Sequence, residues 1–224
     1  MKSTVILFAL ISLLGSDALG KVKEQALTLR ILRARCGDKE VRTEAWAKAQ
    51  LRAAQKIYGR HGIVLRAEFG TFSPNRCVLL NRAQRHSLAA FAGGAAAKGK
   101  VVVLVVERIR DLDMPSYNLM GVHWRYKGKE ARYAGRRWLY LTARAKQPVL
   151  AHELGHYLGL GHDGAGGNLM TPGPSSPAWR RAVKPKPFAP KFLPWQVRKL
   201  RRAITKLVQF RGPPRAGVSP AGTK

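Results

Sequence analysis

Two histidines four residues apart, a glutamate directly after the first, and a third histidine six residues beyond the second constrain this 224-residue chain more than anything else in it. They lie in the stretch from Val149 to Pro172, VLAHELGHYLGLGHDGAGGNLMTP. On a helix, residues four apart project from one face a turn from each other, so His152 and His156 can offer two imidazole nitrogens to one metal ion. Glu153 then sits roughly 100° around the helix from His152, where it borders the metal face and can take a proton from water without being a ligand. Gly159 follows His156 by three, and a glycine there can take the left-handed conformation that ends a helix and swings the chain aside. The swing brings His162 back as a third ligand. Leu150, Leu154 and Leu158 recur at helical spacing and face a core. A purely structural helix explains those leucines, but not three histidines, a carboxylate and a glycine at these intervals.

Three neutral imidazoles leave a tetrahedral metal one open position, the arrangement of a catalytic zinc rather than a structural one. The run HExxHxxGxxHD, followed by Asn168-Leu169-Met170, resembles the metzincin clan of zinc endopeptidases, and VLAHELGHYLGLGHD is most similar to matrixins. The resemblance implies an α/β (α+β) catalytic domain: a mixed twisted sheet with an antiparallel edge strand, an active-site helix, a Met-turn and a C-terminal helix. It also implies one catalytic Zn2+ on His152, His156 and His162, with Glu153 as general base and Gly159, Asp163 and Met170 supporting the site. On calcium it is silent. Asp163 stands where matrixins usually place a serine and matches the adamalysin pattern, whereas the short step from His162 to Met170 is matrixin-like. No tyrosine follows Met170, so the extra tyrosine ligand near the Met-turn of astacins and serralysins has no counterpart there. The implied substrate is a protein or peptide laid along the edge strand, antiparallel to it.

Residues 1 to 20, MKSTVILFALISLLGSDALG, begin with Lys2, run apolar from Val5 to Leu14 and end in small residues, which reads as a secretory signal peptide cleaved after Gly20. The expected location is therefore extracellular or periplasmic. No later stretch approaches the length of a transmembrane helix. Export permits Cys36 and Cys77 to pair, closing a loop of about 42 residues worth about 4 kcal/mol on a chain-entropy estimate. Arg35-Cys36-Gly37 also resembles the cysteine-switch segment with which matrixin pro-domains cap their zinc, although only a short stretch separates Cys36 from the expected signal cleavage. The sequence leaves both readings of Cys36 open.

The remaining chain, with a hydrophobic fraction of 46%, suits one domain with a substantial core. Ala26 to Arg35 alternates as a strand. Thr43 can cap a helix with Trp46, Gln50, Ala53, Ala54 and Ile57 on one side, ended by Gly59 and Gly62, and a second strand runs from Ile63 to about Phe69. That order implies a right-handed crossover and parallel strands. Residues 70 to 100 show a turn at Ser73-Pro74-Asn75 and no usable periodicity, and receive no chemistry. Val101 to Val106 is an unbroken apolar run, a strand buried on both faces. Gly121 to Tyr126 is the expected edge strand, with His123 a polar surface residue outside the site, and Trp138 to Thr142 is a further strand. Pro148 suits the first turn of the histidine-bearing helix. TPGPSSPAW after Met170 is irregular and, by the resemblance, walls a substrate pocket. Leu193, Val197, Leu200, Ile204 and Leu207 recur at helical spacing behind Pro194, the pattern of a helix docked on the core or of one lying on a membrane surface. The peptidase domain is expected over 21–211 and a basic disordered tail over 212–224.

A formal charge of +29 and a pI near 11.3 favour contact with polyanions or acidic surfaces, and no Asp or Glu follows Asp163. A solvated face kept soluble by repulsion accounts for the same charge. Two functions from different classes follow. One is a secreted zinc endopeptidase; the other is a basic polyanion-binding secreted protein whose zinc site is structural or inactive and whose function resides in the cations of the C-terminal region.

Overall fold

The computed structural model describes residues 24–93, 99–163, 167–172 and 189–209. The signal peptide expected over 1–20, most of the irregular segment after Met170 and the basic tail from Gly212 lie outside the described residues. The alternation of Leu27, Leu29 and Ile31 becomes β1 (Gln25–Cys36), with those side chains buried. After the short antiparallel return β2 (Lys39–Glu40), the Thr43 hydroxyl accepts the Trp46 N–H at 3.3 Å and caps α1 (Glu44–Tyr58). The chain turns through Gly62 at φ +67° into β3 (Ile63–Phe72), which pairs parallel to β1 and runs further than the alternation suggests.

Next come β4 (Val78–Leu79), α2 (Arg82–His86), β5 (Val101–Val106), β6 (Arg108–Arg110), β7 (Asn118–Leu119), β8 (Gly121–Arg125) and β9 (Arg137–Thr142). The helices α3 (Val149–Tyr157) and α4 (Pro194–Gln209) follow. The main sheet has the order β3-β1-β5-β9-β8, with the first four strands parallel and β8 an antiparallel edge. This is the mixed α+β architecture expected from the sequence. β5 sits at the centre with all six residues buried, as an unbroken Val/Leu run requires.

One face of the sheet packs against α1, α3 and α4 through Leu29, Val103, Leu139, Leu150, Leu154, Leu200 and Ile204. The opposite face is covered by the segment that carried no sequence signal: Leu79, Leu88 and Ala89 bury against Leu104, Trp138 and Tyr140. There β4, β6 and β7 form a second, three-stranded sheet, whose strands of two or three residues are too short to show alternation. Cys36 and Cys77 are joined by a disulfide that ties the end of β1 to this cover, so the free thiol demanded by a cysteine switch is absent.

The two readings of the C-terminal helix also separate. Leu200 and Ile204 are fully buried, Arg201 Nη1 donates to His61 O at 2.9 Å, and Gln25 Nε2 donates to Thr205 Oγ1 at 2.8 Å, so α4 is docked on the core. Among the described residues no helix is long and apolar enough to cross a membrane.

Candidate metal centre

Core packing aims α3. Leu150 and Leu154 are buried without exposure, and Tyr58 Oη donates to Ala151 O at 3.1 Å, which fixes the helix against α1 and turns His152 and His156 outward. At its far end Leu158 N–H still bonds Leu154 O, but Gly159 takes φ +93° and Leu160 N–H bonds back to Gly155 O at 2.9 Å. This is the left-handed exit that a glycine accommodates without strain. It brings His162 over the helix, so that His156 Nε2 lies 3.0 Å from His152 Nε2 and 3.2 Å from His162 Nε2.

Those separations fit a metal. Four ligands around zinc at about 2.0–2.1 Å in tetrahedral array stand about 3.3 Å apart. Two of the rings are also oriented: His152 Nδ1 lies 2.7 Å from Leu169 O and His156 Nδ1 lies 2.9 Å from Leu160 O. A carbonyl can only accept, so each Nδ1 carries the proton and each Nε2 presents its lone pair to the common centre. Burial, then the neighbouring His156, holds His152 down to about 4, and the same causes hold His162 to about 4 even though its outer edge meets solvent. His156 is likewise lowered by burial. The triad is thus neutral near pH 7, the form in which imidazole binds metal.

The turn below the triad is braced by a polar knot. Asn168, fully buried, accepts Met170 N–H at 2.8 Å and Gln196 Nε2 at 3.1 Å on its Oδ1, and donates Nδ2 to Asp163 Oδ2 at 2.9 Å. Asp163 N–H in turn bonds Met170 O at 2.9 Å. Asp163 therefore links the residue after the third histidine to the turn beneath it, a role that a shorter serine side chain would reach less well. Met170 is fully buried, and its thioether lies so near α3 that a β-carbon on Gly155 would stand 2.6 Å from Sδ.

Glu153 is 6% exposed, wedged between α3 and the edge strand. A β-carbon on Gly121 would lie 2.7 Å from Glu153 Cγ and 3.0 Å from its Oε1, so only glycine allows β8 this close. Burial pushes the Glu153 carboxyl up to about 8, partly countered by a hydrogen bond from the His123 backbone N–H. His123 is not the polar surface residue expected. It is half-buried, its ring meets Tyr157 edge-on at 5.7 Å, and burial followed by Arg137 and His156 holds it down to about 4. It stands outside the three converging rings.

Several contributors carried no local sequence signature. Gly121 and Gly155 matter through distant neighbours. Arg137, which stacks on Tyr157 at 4.8 Å and donates to Tyr157 O at 3.1 Å, satisfies a carbonyl at the end of α3. Gln196 did have a signal: it interrupts the buried stripe between Leu193 and Leu200, where a polar residue needs a partner.

No family profile matches the sequence, and no curated protein matches it. Solved structures do. The chain is similar to metalloproteinase-II from Bacteroides fragilis, with a TM-score of 0.51 and 14% identity over 80% of this chain, spanning about half (53%) of that protein. It is also similar to mature mirolysin from Tannerella forsythia, solved in complex with a cleaved peptide, with a TM-score of 0.55 and 11% identity over 84% of this chain and 96% of that one. At these identities the likeness is one of fold.

Proposed function

We propose that this chain is a secreted zinc-dependent endopeptidase, matrixin-like in its motif and adamalysin-like at Asp163. The observation that carries the proposal is the convergence of three neutral imidazole Nε2 atoms beside a buried carboxylate, under an edge strand whose outer side pairs with no other strand among the described residues. His152, His156 and His162 would hold the zinc, which when bound supplies Lewis-acid polarisation of a scissile carbonyl and lowers the pKa of water. Glu153 accepts a proton from the attacking water at a carboxylate oxygen and returns it to the departing amine. Burial raises the pKa of this carboxyl in the metal-free protein, and a zinc ion held by the neighbouring histidines would draw it back toward the carboxylate form that accepts the proton. The free edge of β8 offers backbone N–H and C=O groups to an extended peptide. Met170, fully buried against α3 at Gly155, would serve as an apolar floor under the site.

The fold shared with a Bacteroides metalloproteinase, and with mirolysin holding a cleaved peptide, supports this reaction class. The signal-like residues 1–20 and the Cys36–Cys77 disulfide support an oxidising, exported setting. The test is direct: purified parent should bind one zinc and cut peptides from a diverse library, Glu153→Ala should keep the zinc and lose cleavage, and His156→Ala should lose the metal. Equal turnover by Glu153→Ala and parent would refute the assigned role.

A second reading has its own observation. Arg198, Lys199, Arg202 and Lys206 are exposed on α4 beside Trp195, which is 44% exposed, so the helix carries a cationic face with an aromatic edge. On that reading the protein binds polyanions through this face. Such binding should fall steeply with added salt, whereas cleavage of a small neutral peptide should change little.

A further inference from the structure

An open pocket of about 280 Å³ lies where β9 ends and β8 begins. It is tied to the metal centre by the backbone. Thr142 donates its N–H (2.9 Å) and its hydroxyl (3.2 Å) to Met120 O, which clamps the residue before β8 to the end of β9, and the next residue, Gly121, rests on Glu153. The pocket therefore begins about one residue from Glu153, on the side of the α3 N-terminus. Tyr117 and Met120 form an apolar wall, and they are 51% and 46% exposed. Arg108, Arg144 and Lys146 stand around it with a single carboxylate, Glu107. All three cations are exposed, and none makes an ion pair among the described residues. Like charges gathered in a concavity repel, and an entering anion relieves that repulsion.

We propose that this pocket is a specificity subsite that takes an acidic side chain of the peptide substrate, C-terminal to the scissile bond. The proposal rests on the endopeptidase reading above. A peptide pairing antiparallel with β8 runs from the Arg125 end toward Gly121. After passing Glu153 it reaches the pocket within about two or three residues, at about 3.3 Å each. The apolar wall suits the methylene stem of glutamate while the guanidinium and ammonium groups meet its carboxylate.

The experiment measures kcat/KM for peptides that differ only in Glu or Gln at each of the three positions after the cleaved bond. The parent is expected to favour Glu by about fivefold at one of them at low salt, with the preference fading as salt rises. Arg144→Gln combined with Lys146→Gln should bring the ratio to about one, and the ratio cancels any general loss of activity. Lys56→Gln with Arg60→Gln, exposed cations of α1 and the turn after it, should keep the parent ratio and so separate this pocket from the overall charge. A ratio of one in the parent, a preference on the other side of the bond, a ratio that survives the pocket variant, or one lost equally in the α1 control overturns the subsite. Should no peptide be cut at all, the endopeptidase reading has failed separately. Fluorescence anisotropy of the same Glu and Gln peptides on zinc-loaded Glu153→Gln then decides the pocket, which falls if the two bind equally.

Discussion

Replacing Gly121 with alanine places one methyl group where the edge strand and the histidine-bearing helix touch. That carbon would stand 2.7 Å from both Glu153 Cγ and Val149 Cγ1, and 3.0 Å from Glu153 Oε1. Carbon atoms rest at about 3.5–4.0 Å, so strand and helix must part, or Glu153 must swing, by about 1 Å. Two effects on stability compete. Alanine in a strand gains about 0.5–1 kcal/mol over glycine, whereas overpacking costs about 1–3 kcal/mol. Overpacking wins here, because β8 is held in register along β9 from Gly121 to Arg125 and both contacted atoms belong to one turn of a packed helix. The net loss is about 1 kcal/mol, a fall in Tm of about 2–4 °C for a domain of this size. On the role proposed for Glu153 the catalytic effect is larger: a misplacement of about 1 Å at a reacting group costs about 100-fold in rate. The assay pairs kcat/KM on a library-derived peptide with zinc content and a thermal scan. Gly121→Ala should keep its zinc, lose a few degrees and lose about two orders of magnitude in kcat/KM. Adding Val149→Ala, which removes one of the contacted carbons, should recover part of the stability. A Gly121→Ala protein as active as the parent and more stable would sink the claim that β8 rests on Glu153.

Further perturbations follow from the same contacts. Cys36→Ser with Cys77→Ser should cost about 4 kcal/mol and lower Tm by about 10 °C, read by thermal unfolding with and without reductant; a shift near zero would remove the disulfide from the stability account. Asp163→Ala leaves Asn168 Nδ2 without this acceptor in a buried knot and should cost about 1.5–3 kcal/mol, while Asp163→Asn, which still offers an oxygen, should cost less, and a denaturant series that ranks them the other way contradicts this wiring. In the metal-free protein, His123, His152 and His162 are held near 4 against 6.5, so the unfolded chain binds more protons and stability rises with pH from about 4 to 6.5. Glu153, near 8 against 4.5, works oppositely: its contribution is full below about 4.5 and is lost as pH rises through 8. Urea midpoints across this range should peak near pH 6.5, and Glu153→Gln should flatten the decline above it; a decline that persists in that variant has another source.

The parts legible in the sequence are those whose geometry is local. From His152 to His162 the chain spans less than two helical turns and a glycine exit, so 3.6-residue periodicity alone brings two rings together and one backbone conformation returns the third. β5 was readable because a strand covered on both faces must be apolar at every residue, and α1 because Thr43 and the stripe from Trp46 to Ile57 obey capping and amphipathic rules. The described residues of 70–100 were illegible because their order comes from the disulfide at Cys77, the two-residue strand β4 and the five-residue helix α2, none of which leaves a period. The burial of His123 was illegible for a related reason: a lone histidine in a strand has the same sequence appearance on a surface as under a helix end.

By itself the sequence determined the triad, its neighbouring carboxylate, the alternating and unbroken strands, and the strongly basic balance, since each depends on spacing or composition within a short span. Only the tertiary structure decided that Gly121 lets an edge strand settle onto Glu153, that Asp163, Asn168 and Gln196 share one buried knot across 33 residues of chain, and that α4 docks on the core instead of remaining free for a membrane surface. These are contacts between segments far apart in sequence. Their existence depends on how layers pack and which groups lose water together, and no periodicity along the chain records that.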